Sequence, residues 1–357
     1  MNLRWLLIFI PLGLTLAWFQ ANPLLVFVAS ALAIIPLAGL MGDATESLAR
    51  FLGPTLGGLL NATLGNAPEI IIGFFALKHG LVDMVKASIT GSILGNLLFG
   101  LGVSIVAGGL QAPKQNMVFD AESSRVHAGL LMMATFGLII PAVFDFSTNT
   151  EREISLEIAV ILFLVYLLSV AFTLTMAAPD AETNTGAVEH KHSESEEEDS
   201  GWGRNQALAI LAAVTVGLAV MSETMTDALD PAAKAMGFTP LFAGVFLLAL
   251  VGNTAELINS VRFARQNQLD LSLGITVGGS TQMALLVAPL LVFFGLAIGQ
   301  PMNLLFSQFE LIAIILTTYA VMTILQNGFV RWAAGATLVA LYLMLGVGFY
   351  YAPATGI

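Results

Sequence analysis

The chain has 357 residues, of which 57% are hydrophobic and only 10% charged, and its mean hydropathy is +0.86. That composition excludes a soluble domain and describes a chain that crosses a membrane repeatedly. A net charge of -11 and a pI near 4.7 give no support for nucleic-acid binding, and the lack of cysteine removes disulfides and thiolate metal sites.

Apolar runs long enough to cross a bilayer fall near 3–20, 24–41, 56–78, 83–110, 126–146, 154–176, 204–223, 239–264, 270–298, 304–326 and 331–351. An all-α polytopic membrane protein with about eleven transmembrane helices is expected. The first run starts like a signal peptide, with Arg4 ahead of apolar residues, but no convincing small-residue cleavage site follows. Residues 1–22 are therefore read as one extra helix before two five-helix repeats of inverted topology, at 23–176 and 204–357. Between them, 177–203 carries Asp180, Glu182, Glu189, Glu194, Glu196, Glu197, Glu198 and Asp199. A run this acidic has too little apolar surface to pack and reads as a solvated linker.

Eleven spans put the termini on opposite sides. Arg4, Arg50, Lys114, Arg125, Lys191, Arg204, Arg262, Arg265 and Arg331 fall on the side of the N-terminus, against Lys78, Lys86, Arg152 and Lys234 on the other. By the positive-inside rule the N-terminus and the acidic linker are cytoplasmic, and short loops fit a prokaryotic plasma membrane.

Two pentapeptides match. Gly65-Asn66-Ala67-Pro68-Glu69 in the third span returns as Gly252-Asn253-Thr254-Ala255-Glu256 in the eighth. The duplication extends outward: Gly57 precedes Gly65 by eight residues as Gly244 precedes Gly252, and Gly91 follows Glu69 by 22 as Gly278 follows Glu256. A carboxylate in a membrane span costs about 2.5 to 3.5 kcal/mol even on the insertion scale, so a duplicated pair points to an ion pathway. Asn61, Gly65 and Glu69 follow a four-residue spacing, which places them with Asn66 on one side of a helix; Asn253, Glu256 and Ser260 share a side likewise. Gly65 and Gly252 thin the helices where a neighbour or an ion must approach.

The following spans have polar texture of their own. Ser88, Ser92 and Asn96 recur every four residues, and Gly91 and Gly95 have the small-xxx-small spacing of close-packed membrane helices. The second repeat offers Thr276, Ser280, Thr281 and Gln282, with Gly279 where the first has Ser92. Carboxylate, amide and hydroxyl oxygens suit a hard cation such as Ca²⁺, and no imidazole or thiolate cluster suggests Zn²⁺ or Cu⁺. Acidic pairs after the second span (Asp43, Glu46) and the seventh (Glu223, Asp227) are expected at opposite mouths. There is no phosphate-binding loop, no HExxH and no nucleophile–base constellation, so the chain does not read as an enzyme.

The stretches GGLLNATLGNAPE with SITGSILGNLLFGLG, and GNTAELINSVRFA with GGSTQMALLVAPL, resemble the paired alpha repeats of the Ca²⁺/cation antiporter superfamily, in its cation/proton exchanger branch. The resemblance covers nearly the whole chain. It implies a secondary transporter in the lipid bilayer that exchanges Ca²⁺ for H⁺ by alternating access, with no cofactor. Exchange of Na⁺ for Ca²⁺, or transport of Mn²⁺ or another divalent cation, is the alternative. Carried over, the resemblance implies that Glu69 and Glu256 bind the metal and carry protons. Asn66, Asn253, Ser92, Asn96, Ser280 and Gln282 would supply ligands or supporting hydrogen bonds.

Overall fold

A computed structural model describes residues 3–145, 151–176 and 202–353. Apart from two short strands, the described residues form helices joined by turns and loops. A 3₁₀ turn, Arg4–Ile8, leads into α1 (Phe9–Trp18), followed by α2 (Pro23–Leu64) and α3 (Ala67–Lys78). Then come α4 (Val82–Gly109), α5 (Ala121–Asp145), α6 (Glu151–Met176), α7 (Arg204–Ala235), α8 (Pro240–Arg265) and α9 (Leu269–Ala297). The last two are α10 (Gln308–Leu325) and α11 (Trp332–Tyr351). Among the described residues, nine helices are long and apolar enough to cross a membrane, with the shorter Arg4–Trp18 beside them. The third expected span, 56–78, is in two pieces, the end of α2 and α3.

Two helices run past the apolar runs that announced them. α2 continues as helix to Gly53, where φ reaches 78°, a left-handed value that glycine adopts freely, and a further helical stretch leads to Leu64. α7 continues to Ala235. Asp43, Glu46, Glu223 and Asp227 therefore lie within helices rather than beyond them, because a charge ends an apolar run but not a helix.

Packing between the halves comes in matched pairs. α2 lies along α7; α8 packs on α2 as α3 packs on α7; α11 covers α4 as α6 covers α9; α5 meets α10. α1 lies against α2 and α7, outside this pairing. Glycines set the closest approaches. A Cβ on Gly91 would fall 2.1 Å from the carbonyl oxygen of Val245, and one on Gly244 would fall 2.5 Å from the carbonyl oxygen of Met84. The α4–α8 crossing is thus backbone against backbone, as the small-residue spacing of Gly91 implied.

Pairs across the helix ends separate two poles. At one, Arg4 faces Asp43 at 3.7 Å, and β1 (Met117–Val118) pairs antiparallel with β2 (Phe329–Val330). Close by, the main-chain N–H of Asp120 donates to Asp270 at 2.8 Å. At the other, Lys78 pairs with Glu223 at 2.6 Å, and His79 lies 3.8 Å from Asp227. The acidic stretch 177–203 lies outside the described residues except for Trp202 and Gly203.

A candidate cation site between broken helices

The first motif breaks its helix. α2 ends at Leu64, Gly65 and Asn66 form a turn, and α3 restarts at Ala67 with Pro68 in its first turn. Pro68 has no N–H to return to Leu64, so the ladder cannot run through. This corrects the expectation of one continuous helix presenting Asn61, Gly65, Asn66 and Glu69 on a single side. Glu69 instead stands in the first turn of α3, where unpaired N–H groups favour negative charge.

The second motif, with Ala255 in place of the proline, remains helical from Ala249 to Arg265. Its irregularity comes one turn earlier, in a π-helical stretch at Ala243–Leu248. α4 widens to π geometry at Gly95–Gly100, around Asn96, and α9 does so twice, at Gly274–Gly278 and Met283–Val287. Pro289 follows the last of these and cannot donate to the carbonyl of Leu285. All four helices at the centre therefore depart from α geometry beside the residues singled out from sequence. The four-residue spacing of Ser88, Ser92 and Asn96 runs into this stretch, since Asn96 is its second residue, and α geometry resumes at Leu101.

The two halves complete one another there. Asn96 on α4 donates its Nδ2 hydrogen to Oε2 of Glu256 on α8 at 2.7 Å. Asn66 donates through Nδ2 to Oε1 of Gln282 on α9. Asn253 donates through Nδ2 to the main-chain oxygen of Ser92 at 3.3 Å. Glu69 lies against Gly252, one helical turn before Glu256 on α8.

Two glycines make room for these carboxylates. A Cβ on Gly252 would lie 3.4 Å from Oε1 of Glu69, and one on Gly279 would lie 3.2 Å from both oxygens of Glu256 and 3.1 Å from Nδ2 of Asn96. A small cavity bordered by Glu69, Ser88, Ser92, Gly252 and Met283 opens beside the first carboxylate.

Not every expected ligand points inward. Ser280 turns its hydroxyl back to the carbonyl of Thr276 at 2.8 Å, and Ser88 does the same to Val85 at 2.7 Å. Ser92 enters the site with its main-chain oxygen as well as its place on the cavity wall. Oε2 of Glu69 and Oδ1 of Asn253 are buried, and among the described residues neither has a donor. An acceptor in that condition costs about 1–3 kcal/mol unless a proton or a cation satisfies it. Among the described residues no group of three or more His, Cys, Asp and Glu side chains is placed to hold a metal ion. Two carboxylates set among amide oxygens are donors for a hard cation.

Sequence reasoning missed a further buried acid. Glu310, 4% exposed at the start of α10, forms a capping box with Ser307 and accepts from Oγ1 of Thr90 at 3.0 Å. The Ser-x-x-Glu pattern before an apolar run was the available signal. With both oxygens supplied with donors, Glu310 is a cap rather than a ligand.

Comparison with known proteins agrees with this architecture. The profile of the family described as sodium/calcium exchanger protein matches residues 22–175 and 206–351. A protein of Aphanothece halophytica named Ca(2+)/H(+) antiporter is 39% identical over 359 residues, covering 98% of this chain and 96% of that one. A protein of the same name from Synechocystis sp. (strain ATCC 27184 / PCC 6803 / Kazusa) is 38% identical over 361 residues, covering 98% of this chain and 96% of its own length. The crystal structure of YfkE, titled a Ca2+/H+ antiporter protein, superposes with a TM-score of 0.81 at 33% identity, covering 98% of this chain and 100% of that chain. The chain belongs to the sodium/calcium exchanger protein family.

Proposed function

We propose that this protein exchanges Ca²⁺ for H⁺ across the membrane by alternating access, with Glu69 and Glu256 binding the metal or protons in competition. One observation carries the reading: Glu69 lies against Gly252, one turn before Glu256 on α8, beside buried acceptors, Oε2 of Glu69 and Oδ1 of Asn253, that have no donor among the described residues. Ca²⁺ satisfies such oxygens when both carboxyl groups are ionised, and protons satisfy the carboxyl groups when the metal leaves. The names of the relatives and of the superposed structure point to the same pair of substrates.

In this reading Asn66, Asn253, Ser92, Asn96 and Gln282 hold or orient the site. Ser280 acts through its own helix, since its hydroxyl is engaged there. The repeats 23–176 and 204–357 would rock about the site, opening it to one pole at a time. An empty site would carry two buried negative charges, and the cost of moving them unsolvated suppresses an unloaded return. No cofactor takes part. The pole that gathers Arg4, Arg262, Arg265 and Arg331 faces the cytoplasm by the positive-inside rule, together with the N-terminus, in the plasma membrane of a prokaryote.

Sealed vesicles containing the purified chain provide the test. An imposed pH gradient should drive uptake of radioactive Ca²⁺, and an equal Na⁺ gradient should not. Uptake driven by Na⁺ alone would replace this reading with Na⁺/Ca²⁺ exchange, and competition by Mn²⁺ would measure selectivity among divalent cations.

A further inference from the structure

Two small cavities flank the crossing of α4 and α8. One borders Glu69 and belongs to the site above. The other lies on the side of α11: its walls include Gly91, Gly95, Phe99, Leu250, Asn253 and Tyr342, and neither motif glutamate. It has room for about one water-sized group. Asn253, 6% exposed, gives it a polar wall; Nδ2 donates to the main-chain oxygen of Ser92 at 3.3 Å, while Oδ1 has no donor among the described residues. The rim is apolar. The rings of Phe99 and Tyr342 lie 5.2 Å apart, and Leu250 is 49% exposed near the middle of the span Pro240–Arg265. The mouth therefore faces hydrocarbon rather than either pole, and hydrocarbon offers an acceptor nothing in return for its burial.

The duplication makes this pocket informative. In the register that pairs Glu69 with Glu256, Asn253 corresponds to Asn66 and Gly95 to Gln282. Gln282 puts its side chain against Asn66 and joins it by a hydrogen bond. Gly95 has no side chain to offer Asn253. Nor does packing forbid one: a Cβ on Gly95 would stand 3.6 Å from Nδ2 of Asn253, an ordinary contact, whereas one on Gly91, a turn earlier, would strike the main chain of Val245 at 2.1 Å. The same junction is thus closed by the protein's own amide in one half and left open beside a buried acceptor in the other.

We infer that this pocket binds a neutral alcohol from the bilayer, whose hydroxyl donates to Oδ1 of Asn253 while its chain lies along Leu250 and the rings of Phe99 and Tyr342. The inference rests on the exchange reading above, in which Asn253 serves the metal. A hydroxyl matches the space, supplies the donor and brings no charge to desolvate, whereas an ammonium head would bring one into the span. Its chain meets a rim that is already apolar, so little is lost on leaving lipid. Bound there, the alcohol holds the Asn253 amide on the α11 side, and Ca²⁺ loses one oxygen. The pocket is then an inhibitory site entered sideways from the membrane, apart from the route the cation takes. Water carries the same O–H chemistry, and the test separates the two sources.

The test is Ca²⁺ affinity, measured by calorimetry at fixed pH on the full chain in lipid nanodiscs. The probe is n-hexanol and the control is methyl n-pentyl ether, its isomer without the donor, at equal concentration in the membrane. The alcohol should weaken Ca²⁺ binding several-fold and saturably, and the ether should not. Gly95→Ala fills the pocket with a methyl group and should keep the affinity for Ca²⁺ while losing the response to n-hexanol. Gly95→Gln, copying the other half, should bind Ca²⁺ more weakly without any alcohol and ignore its addition. Leu250→Trp covers the mouth from outside, on an exposed position, and should blunt the response should the Gly95 variants not fold. Equal effects of alcohol and ether, or n-hexanol inhibition that persists in both Gly95→Ala and Leu250→Trp, overturn the proposal, and no effect of n-hexanol on the wild type leaves the pocket to water and overturns it as well. Wild-type vesicles that take up no Ca²⁺ on a pH gradient, with n-hexanol still weakening Ca²⁺ binding, would overturn the exchange reading and not the pocket.

Discussion

Asn96 and Glu256 come from opposite halves of the chain and are joined at 2.7 Å, amide to carboxylate. The amide holds one oxygen of Glu256, and in the proposed exchange the rest of the carboxyl group is left to a proton or a metal. Because the bond crosses between α4 and α8, a change in occupancy at Glu256 should be felt by both halves.

The first prediction concerns the carboxylates. Glu69→Gln and Glu256→Gln should each abolish pH-driven Ca²⁺ uptake while the protein still elutes as a single folded species, since the amide keeps volume and hydrogen bonding but neither charge nor titration. Wild-type uptake by either variant at equal protein and equal gradient would remove the central assignment. Asp at either position should lower Ca²⁺ affinity more than maximal rate, because the charge persists one methylene further away.

A second prediction is the pH dependence of binding. Protonation removes the carboxylates that Ca²⁺ requires, so affinity must weaken as pH falls and binding must release protons. Neighbouring sites titrate together, and only macroscopic constants should be fitted. Calorimetric Ca²⁺ titrations in buffers of different ionisation enthalpy count the released protons, and each single Glu→Gln variant should release fewer with a flatter slope. Affinity independent of pH would favour Na⁺ coupling.

Gly279 supplies a third. A methyl group there would stand 3.2 Å from both oxygens of Glu256 and 3.1 Å from Nδ2 of Asn96, so Gly279→Ala should displace the carboxylate. The crowding costs about 1–3 kcal/mol, and it should appear as weaker Ca²⁺ binding rather than as unfolding. Gly91→Val is the contrasting case. Its Cβ would fall 2.1 Å from the carbonyl oxygen of Val245, main chain that cannot swing away, and lower thermal stability should accompany any loss of transport.

Shortening residues 180–199 to a neutral flexible linker should preserve exchange, provided the ends still span the gap. Loss of transport at saturating Ca²⁺ by a folded deletion variant would show that the acidic run does more than connect.

Much of the fold was legible because hydropathy marks what lipid will accept, and nearly all the expected runs became helices. The ends of α2 and α7 were not legible. Asp43, Glu46, Glu223 and Asp227 interrupt the apolar pattern, yet main-chain hydrogen bonding continues through them to Gly53 and Ala235. In the candidate site the duplicated glutamates stood out by their cost in lipid, and Pro68 foretold a break that a four-residue count overlooked. The π turns around Asn96 and before Pro289 shift which residues face one another, so local spacing could not show Asn96 reaching Glu256 or Asn66 reaching Gln282. Such pairs depend on how two halves dock. Gly279, which departs from the first repeat's Ser92, is explained only by the carboxylate beside it.

The break at Gly65 and Asn66 has no counterpart in α8, where Ala255 stands in the place of Pro68. One half of the molecule is therefore interrupted at its motif, while the other stays hydrogen-bonded through its motif and departs from α geometry only one turn earlier. If the halves rock as proposed, opening toward one pole should then not be the reflection of opening toward the other, and the two barriers should differ in height. Gradients alone fix where the cycle comes to rest, but not its pace, so the protein should behave as a kinetic rectifier. Initial Ca²⁺ fluxes in right-side-out and inverted vesicles, under equal and opposite driving forces, should be unequal, and Pro68→Ala should bring them closer together.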